Sequence, residues 1–319
     1  MSSVNKVPQT AVLPPERTTG RSALVTVQHA GARGLLTQSF IRFRYGDGFS
    51  HARALALQIA LAVIPLVIAF VGLSDTIGTT RLGETLRRTL LALTPGSPGD
   101  AVSSSLSRPP HGAGSQVALY AGLVTALLAL TTAMGQVERG ANRIYGIRRD
   151  NPGPVKYGRA ALLAVIGGIP AVLGFLLLIA GGALADAVQV VYGGGRTTVL
   201  VARWPLGILL MLGAISVMIA RAPRRNQPGR TWLLTGAVVS LALWLLFSLL
   251  LAGYLHNSSS FGAVYGPLTG VMALLLWSQL TAIALLFGIA VGAQVEALRG
   301  GVTEAAALDP ELFSAGKTS

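Results

Sequence analysis

The chain has 319 residues, 52% hydrophobic and 12% charged, where a soluble domain carries about 25% charged residues. With a mean hydropathy of +0.61, this composition excludes an ordinary soluble core and predicts an all-α, polytopic membrane protein. The net charge of +13 does not make it a nucleic-acid binder, because the basic residues sit in short clusters between apolar spans without an aromatic-interleaved basic face, and the absence of cysteine removes disulfide and thiolate chemistry.

Residues 1–21 hold Pro, Thr, Ser and scattered charge with little bulk, and read as a disordered cytoplasmic tail. No basic segment leads directly into an apolar one there, so no cleavable signal is expected. From Ser22 to Gly46, Leu35, Leu36, Phe40 and Phe43 fall near one helical face beside Arg33, Arg42 and Arg44. That pattern suits either a helix lying in the membrane interface or one packed on the bundle.

The first span is expected over 54–74, with Ser50 as N-cap, and it contains Gln58 and Pro65. Pro65 should kink it and free a carbonyl. The segment that follows carries Leu82, Leu86, Leu90 and Leu93 at helical spacing, which predicts an amphipathic helix in the first extracytoplasmic loop. Spans are then expected over 117–136, 160–185, 204–220, 233–251 and 271–292. Gly167, Gly168, Pro170 and Gly174 lie in the third, and Pro205 suits the first turn of the fourth. Thr231 to Val295 is 65 residues without a single charge. Its centre, Tyr254 to Pro267, is too rich in Ser, Gly and Pro for a lipid-exposed helix, so this region is a hairpin of two spans with a neutral tip. Tyr254 and Tyr265 suit interfacial anchors. From Glu296 on, a polar, frayed tail is expected. The chain thus divides into the tail 1–21, a six-span membrane domain 22–298 and a cytoplasmic tail 299–319.

Of 25 Lys and Arg residues, 19 fall on the side holding both termini and the second and fourth loops. Positive residues stay inside, so both termini are expected in the cytoplasm and Tyr254–Pro267 outside.

A metallonuclease needs clustered His, Asp or Glu. His29, His51, His111 and His256 lie in separate segments without ligand spacing. Ser258, Ser259 and Ser260 beside His256 lack a nearby acid to orient the imidazole. No metal or other cofactor and no enzymatic activity are expected. The spans also hold no acid or His for proton coupling. Gln58, Gln136, Gln279 and Gln294 either bridge helices or line an amphiphile path. Arg139, Asn142, Arg143 and Tyr145, where the second span leaves the membrane, either serve topology alone or build a phosphate-headgroup site, the partners being anionic membrane lipids. Self-association and envelope-protein partners stay open.

Four stretches, in their order and spacing, resemble the YihY/BrkB family of bacterial inner-membrane envelope-integrity proteins, a family also labelled ribonuclease BN. They are His51-Ala52-Arg53-Ala54-Leu55-Ala56 with Pro65, Asn142-Arg143-Ile144-Tyr145-Gly146, Ala222-Pro223-Arg224-Arg225 with Gly236-Ala237 and Trp244, and Tyr265-Gly266 with Leu276-Trp277 and Gly292-Ala293. The resemblance covers roughly Arg42 to Leu298. It implies a six-span helical fold and a role in envelope integrity, through transport of a lipid or other amphiphile; a non-transporting scaffold for envelope machinery and a membrane-bound hydrolase are the alternatives. The chain departs from the family pattern where Phe261-Gly262 replaces Tyr-Asn and where Gln294 replaces the Glu of Gly-Ala-Glu.

Overall fold

The computed structural model describes residues 5–14, 20–77, 113–147, 152–192, 194–225, 227, 230–257, 261 and 264–308. The described chain is helical apart from a two-stranded antiparallel ribbon that pairs Asn5–Lys6 (β1) with Ala307–Leu308 (β2). Its helices are α1 (Gly20–Ala30), α2 (Ala32–Tyr45), α3 (Gly48–Ile77), α4 (Ala113–Ile144), α5 (Gly153–Leu163), α6 (Ile169–Tyr192), α7 (Arg196–Arg221), α8 (Arg230–Asn257) and α9 (Thr269–Arg299). Among the described residues, five stretches are long and apolar enough to cross a membrane: Leu119–Ile144, Gly153–Leu178, Arg196–Arg221, Leu233–Asn257 and Thr269–Arg299. In α3 the apolar stretch Gly48–Val63 is shorter.

The helices pair as antiparallel hairpins, α3 with α4, α6 with α7 and α8 with α9. Glycine lets each pair approach at backbone distance. A Cβ on Gly122 would stand 2.7 Å from the Ala69 nitrogen and 3.1 Å from the Pro65 carbonyl, so α4 rides against the proline-containing turn of α3. A Cβ on Gly174 would stand 3.1 Å from the Gly207 carbonyl, and one on Gly236 2.6 Å from the Gly288 carbonyl. α9 is the hub, packing against α2, α3, α4 and α8, and its residues from Gly288 to Ala297 are buried without interruption.

α5 runs into α6 through a π turn, Ala164–Gly168, in which the Ile169 amide donates to the Ala164 carbonyl. Pro170 has no N–H for the preceding turn, and the wider π turn accommodates that loss. Gln58 of α3 accepts a 2.6 Å hydrogen bond from the Thr132 hydroxyl of α4, which also lies 2.7 Å from the Ala129 carbonyl. Gln58→Leu therefore leaves Thr132 satisfied within its own helix. We expect a loss of only about 0.6 kcal/mol, read as a small shift in thermal unfolding of the purified protein; a loss several times larger would show that Gln58 has a further role.

Several expectations are corrected. Ser50 does not cap α3, which begins at Gly48 after Asp47 in the left-handed region (φ 55°). Pro205 lies inside α7 rather than in its first turn, because the helix starts at Arg196, directly after Gly195 with φ 86°. The polar residues after the sixth apolar stretch do not fray: α9 continues to Arg299 and Glu296 is buried. Nor are residues 5–14 structureless, since Thr10 is buried and β1 pairs with the far end of the chain. The region 22–46 is two helices broken at Gly31 (φ 70°), and α2 buries Leu35, Ser39, Arg42 and Phe43 while Leu36 and Phe40 stay exposed. The amphipathic helix expected over 82–93 lies outside the described residues.

Candidate functional site

α4 and α9 both end where the chain turns on a glycine. After α4, Gly146 (φ 75°) donates to the Arg143 carbonyl at 3.0 Å and Ile147 to Asn142 at 2.8 Å. After α9, Gly301 (φ 84°) donates to Leu298 at 3.1 Å and Val302 to Ala297 at 2.9 Å. This pairing satisfies helix-end carbonyls and reverses the chain, and the left-handed conformation favours glycine. The two ends meet, and a polar cluster fills the space between them.

Arg42 of α2 stands at its centre, fully buried. Its Nε donates to Gln294 Oε1 at 2.8 Å, and its Nη1 donates to Thr10 Oγ1 at 3.0 Å and to the Ile144 carbonyl at 3.2 Å. Arg225, in the turn after α7, donates through Nη2 to Glu296 Oε1 as a salt bridge. Its Nη1 donates to the Thr10 carbonyl at 3.0 Å, and its guanidinium lies 4.7 Å from the centroid of the Tyr145 ring. The Thr10 amide donates to the Tyr145 carbonyl at 3.1 Å. Gln294 Nε2 donates to the Thr303 carbonyl at 3.3 Å, and the Ala305 amide to Gln38 Oε1 at 3.1 Å. Asn142 Oδ1 accepts from the Arg224 amide at 2.8 Å. One cluster thus clamps α2, α4, α9, the turn after α7 and the segments 5–14 and 303–308.

Its electrostatics explain two buried arginines against one glutamate. α4, α7 and α9 all finish at this end, and each helix C-terminus carries about half a negative charge. Arg42 bonds the last carbonyl of α4, and Arg159 Nη2 donates to the Arg221 carbonyl at the end of α7 at 2.9 Å. Burial lowers the Arg42 guanidinium to about 10, so it stays charged at neutral pH. Burial, then Glu296, pushes the Tyr145 phenol well above its ordinary value, so it stays neutral and offers its ring face to Arg225.

The residues expected to form a headgroup site are split. Asn142 and Tyr145 are three apart, share an inward face and are buried in the clamp, whereas Arg143 is exposed and Arg139 half-buried. At about 100° per residue, Arg143 cannot share the face of Asn142 and Tyr145. Arg148 and Arg149 lie outside the described residues, as do Ser258, Ser259 and Ser260. Gln294 belongs to the clamp; Gln58 bridges α3 to α4; Gln136 and Gln279 are half-buried; Pro65 is buried under Gly122. Tyr254 and Tyr265 flank Phe261, with ring centroids 5.8 and 4.8 Å away. Sequence reasoning missed Thr10, Arg42, Arg225 and Glu296. The available signal was Glu296 itself, a lone acid directly after 65 uncharged residues.

Among the described residues, no group of three or more His, Asp or Glu is placed to hold a metal ion. No solved structure matches the chain. A UPF0761 membrane protein of Aromatoleum aromaticum is 27% identical over 265 residues, 81% of this chain; the chain spans only 62% of that relative's length. A ribonuclease-like protein of Bacillus subtilis, YfkH, is 22% identical over 258 residues, covering 79% of this chain and 92% of the relative. The family described as Virulence factor BrkB matches residues 39–309, which include Arg42, Tyr145, Arg225, Gln294 and Glu296. With that match across most of its length, the chain belongs to the BrkB virulence-factor family.

Proposed function

We propose that the protein spans the bacterial cytoplasmic membrane six times with both termini inside, and that it moves, or helps to move, a lipid or other amphiphile in the upkeep of the cell envelope. The observation that carries this reading is the uneven closure of the bundle. The largest fully buried side chains, among them Arg42, Phe43, Leu55, Tyr145, Ile219, Leu233 and Gln294, belong to the clamp or to helix segments next to it. Toward the other end the described helices lie open, with Val117, Tyr120, Val201, Leu209, Leu249 and Tyr254 each more than half exposed. Pro65 inside α3, Pro205 inside α7 and the π turn Ala164–Gly168 each remove or shift a backbone hydrogen bond and add local freedom. Among the described residues, a bundle closed by charge at one end and presenting exposed apolar side chains at the other suits a carrier held shut on one side. The arginine-rich clamp end, where α4, α7 and α9 all finish, corresponds to the cytoplasmic side.

We read the protein as non-enzymatic. Glu296 is engaged by Arg225 and acts as a strut rather than a base. Anionic headgroups are the proposed partners at the clamp-end rim, where Arg143 is exposed. The test is transfer of labelled phosphatidylglycerol, phosphatidylcholine and lysophosphatidylcholine between leaflets of vesicles holding the purified protein. We expect protein-dependent transfer of at least one, several-fold above empty vesicles. Transfer at the empty-vesicle rate for all three, by protein that restores an envelope-permeability defect in cells, would leave the scaffold reading instead.

A further inference from the structure

One cation lies far from the clamp. Arg203 stands seven residues into α7, about 10 Å along the helix from Arg196 and toward the end opposite Arg225, within a stretch apolar enough to cross a membrane. Its side chain rests on two consecutive glycines of α6. A Cβ on Gly181 would come 2.7 Å from Arg203 Cδ and so press on the arginine stem, and one on Gly182 would stand 3.5 Å from Nη1, in ordinary contact, so a branched side chain there would reach the space the guanidinium occupies. Arg203 Nε is buried and has no hydrogen-bond partner. Among the described residues the guanidinium's contact is with the Trp204 indole, 5.4 Å from the ring centroid.

The contrast with the clamp is chemical. Arg42 and Arg225 each reach carbonyl or carboxylate oxygens inside the chain. Among the described residues Arg203 Nε reaches none, although an unpaired cation at membrane depth is costly and such residues normally pair. Among the described residues nothing supplies that acceptor, which leaves the position open to one from outside the chain. A planar fork with its Nε edge unsatisfied matches two oxygens of a phosphate or carboxylate better than a point charge does. The surroundings select what carries that anion. Trp204 and Leu206, each about half exposed, lie about 100° and 60° to either side of Arg203 around α7, apolar flanks that suit acyl chains and disfavour a bare ion.

We propose that Arg203, seated on Gly181 and Gly182 beside Trp204, binds the phosphate of an anionic amphiphile that enters between α6 and α7 at the end of the bundle away from the clamp. This deepens the transport reading and rests on it for the ligand's role, while the binding itself is tested separately.

The experiment titrates the purified full chain, in a neutral detergent, with dihexanoyl phosphatidic acid, dihexanoylglycerol or inorganic phosphate, and reads tryptophan fluorescence. We expect a saturable change with the phosphatidic acid, none with dihexanoylglycerol, and loss of the signal in Trp204→Phe. Arg203→Gln should weaken binding about tenfold or more, as expected for losing a charged hydrogen bond, and Arg203→Lys should fall between. Gly182→Val, which fills the slot from α6 and leaves the arginine in place, should also weaken binding, so the proposal stays testable if Arg203→Gln misfolds. Saturation by inorganic phosphate with the same Arg203 dependence would assign the anion site to free phosphate. Wild-type affinity in folded Arg203→Gln or in Gly182→Val would overturn the proposal. Binding as expected without lipid transfer in vesicles would keep the site and remove the transport reading.

Discussion

Arg225→Ala is expected to destabilise the protein by about 3–5 kcal/mol, the range for removing one partner of a buried ion pair. The change leaves the Glu296 carboxylate inside the clamp with its salt-bridge partner gone, and it strips the Thr10 carbonyl and the Tyr145 ring of the same guanidinium. Most of the cost is the stranded charge rather than the lost attraction. Glu296→Gln should therefore cost less than Arg225→Ala, because a neutral amide can still accept from Arg225. A double-mutant cycle with Arg225→Ala and Glu296→Ala should return a coupling of roughly 1–3 kcal/mol, as found for residues in one network. The measurement is reversible unfolding in mixed detergent. Additive single changes would show that the two side chains act independently and that the clamp is not one unit.

Gly288→Val is expected to cost about 3 kcal/mol, the upper end for overpacking. A Cβ at this position would fall 1.9 Å from Ser240 Oγ and 2.5 Å from the Gly236 carbonyl, and backbone cannot move aside as a flexible side chain does. The facing glycine makes the contact mutual, so α8 and α9 must part for either to gain a side chain. Gly213→Ala and Gly253→Ala are the controls, since nothing lies within 4 Å of either added Cβ. Both should be neutral or stabilising by about 0.5–1 kcal/mol, the usual gain of Ala over Gly inside a helix. Expression level and thermal unfolding separate the two classes. Gly288→Ala as stable as the parent would refute the backbone contact between α8 and α9.

Apolar stretches and their order were legible from the sequence because hydropathy is a local property. Helix ends were less so. The second apolar stretch stops near Gln136, yet α4 continues to Ile144, because a helix ends where its carbonyls are capped and not where its side chains turn polar. Gly146 supplies that cap. Pro205 misled for a related reason: Gly195 sets the start of α7 well upstream. Of the clamp, the sequence marked Glu296 by its position after 65 uncharged residues but none of the pairings. Arg42 finds Gln294 across 252 residues and Arg225 finds Glu296 across 71. Nothing near Arg225 distinguishes it from Arg224, which is exposed, and both count equally toward membrane orientation. Asn142 and Tyr145, which the sequence suggested for a lipid-headgroup site, are buried.

The clamp also has a consequence for how the chain is made. Synthesis runs from the N-terminus, so Arg42 is delivered to the membrane before most of its acceptors exist. Thr10 is already present, Ile144 comes roughly a hundred residues later, and Gln294 comes only as the last helix emerges. Segment 5–14 cannot settle until Tyr145 and Arg225 are in place, and β1 has no partner strand until Ala307–Leu308 leave the ribosome. Closure of the cluster therefore waits on α9 and on the residues through Leu308. A nascent chain stopped before α9 leaves Arg42 Nε without Gln294, Arg225 Nη2 without Glu296 and β1 without its partner strand, features that a membrane protease could recognise as unfinished.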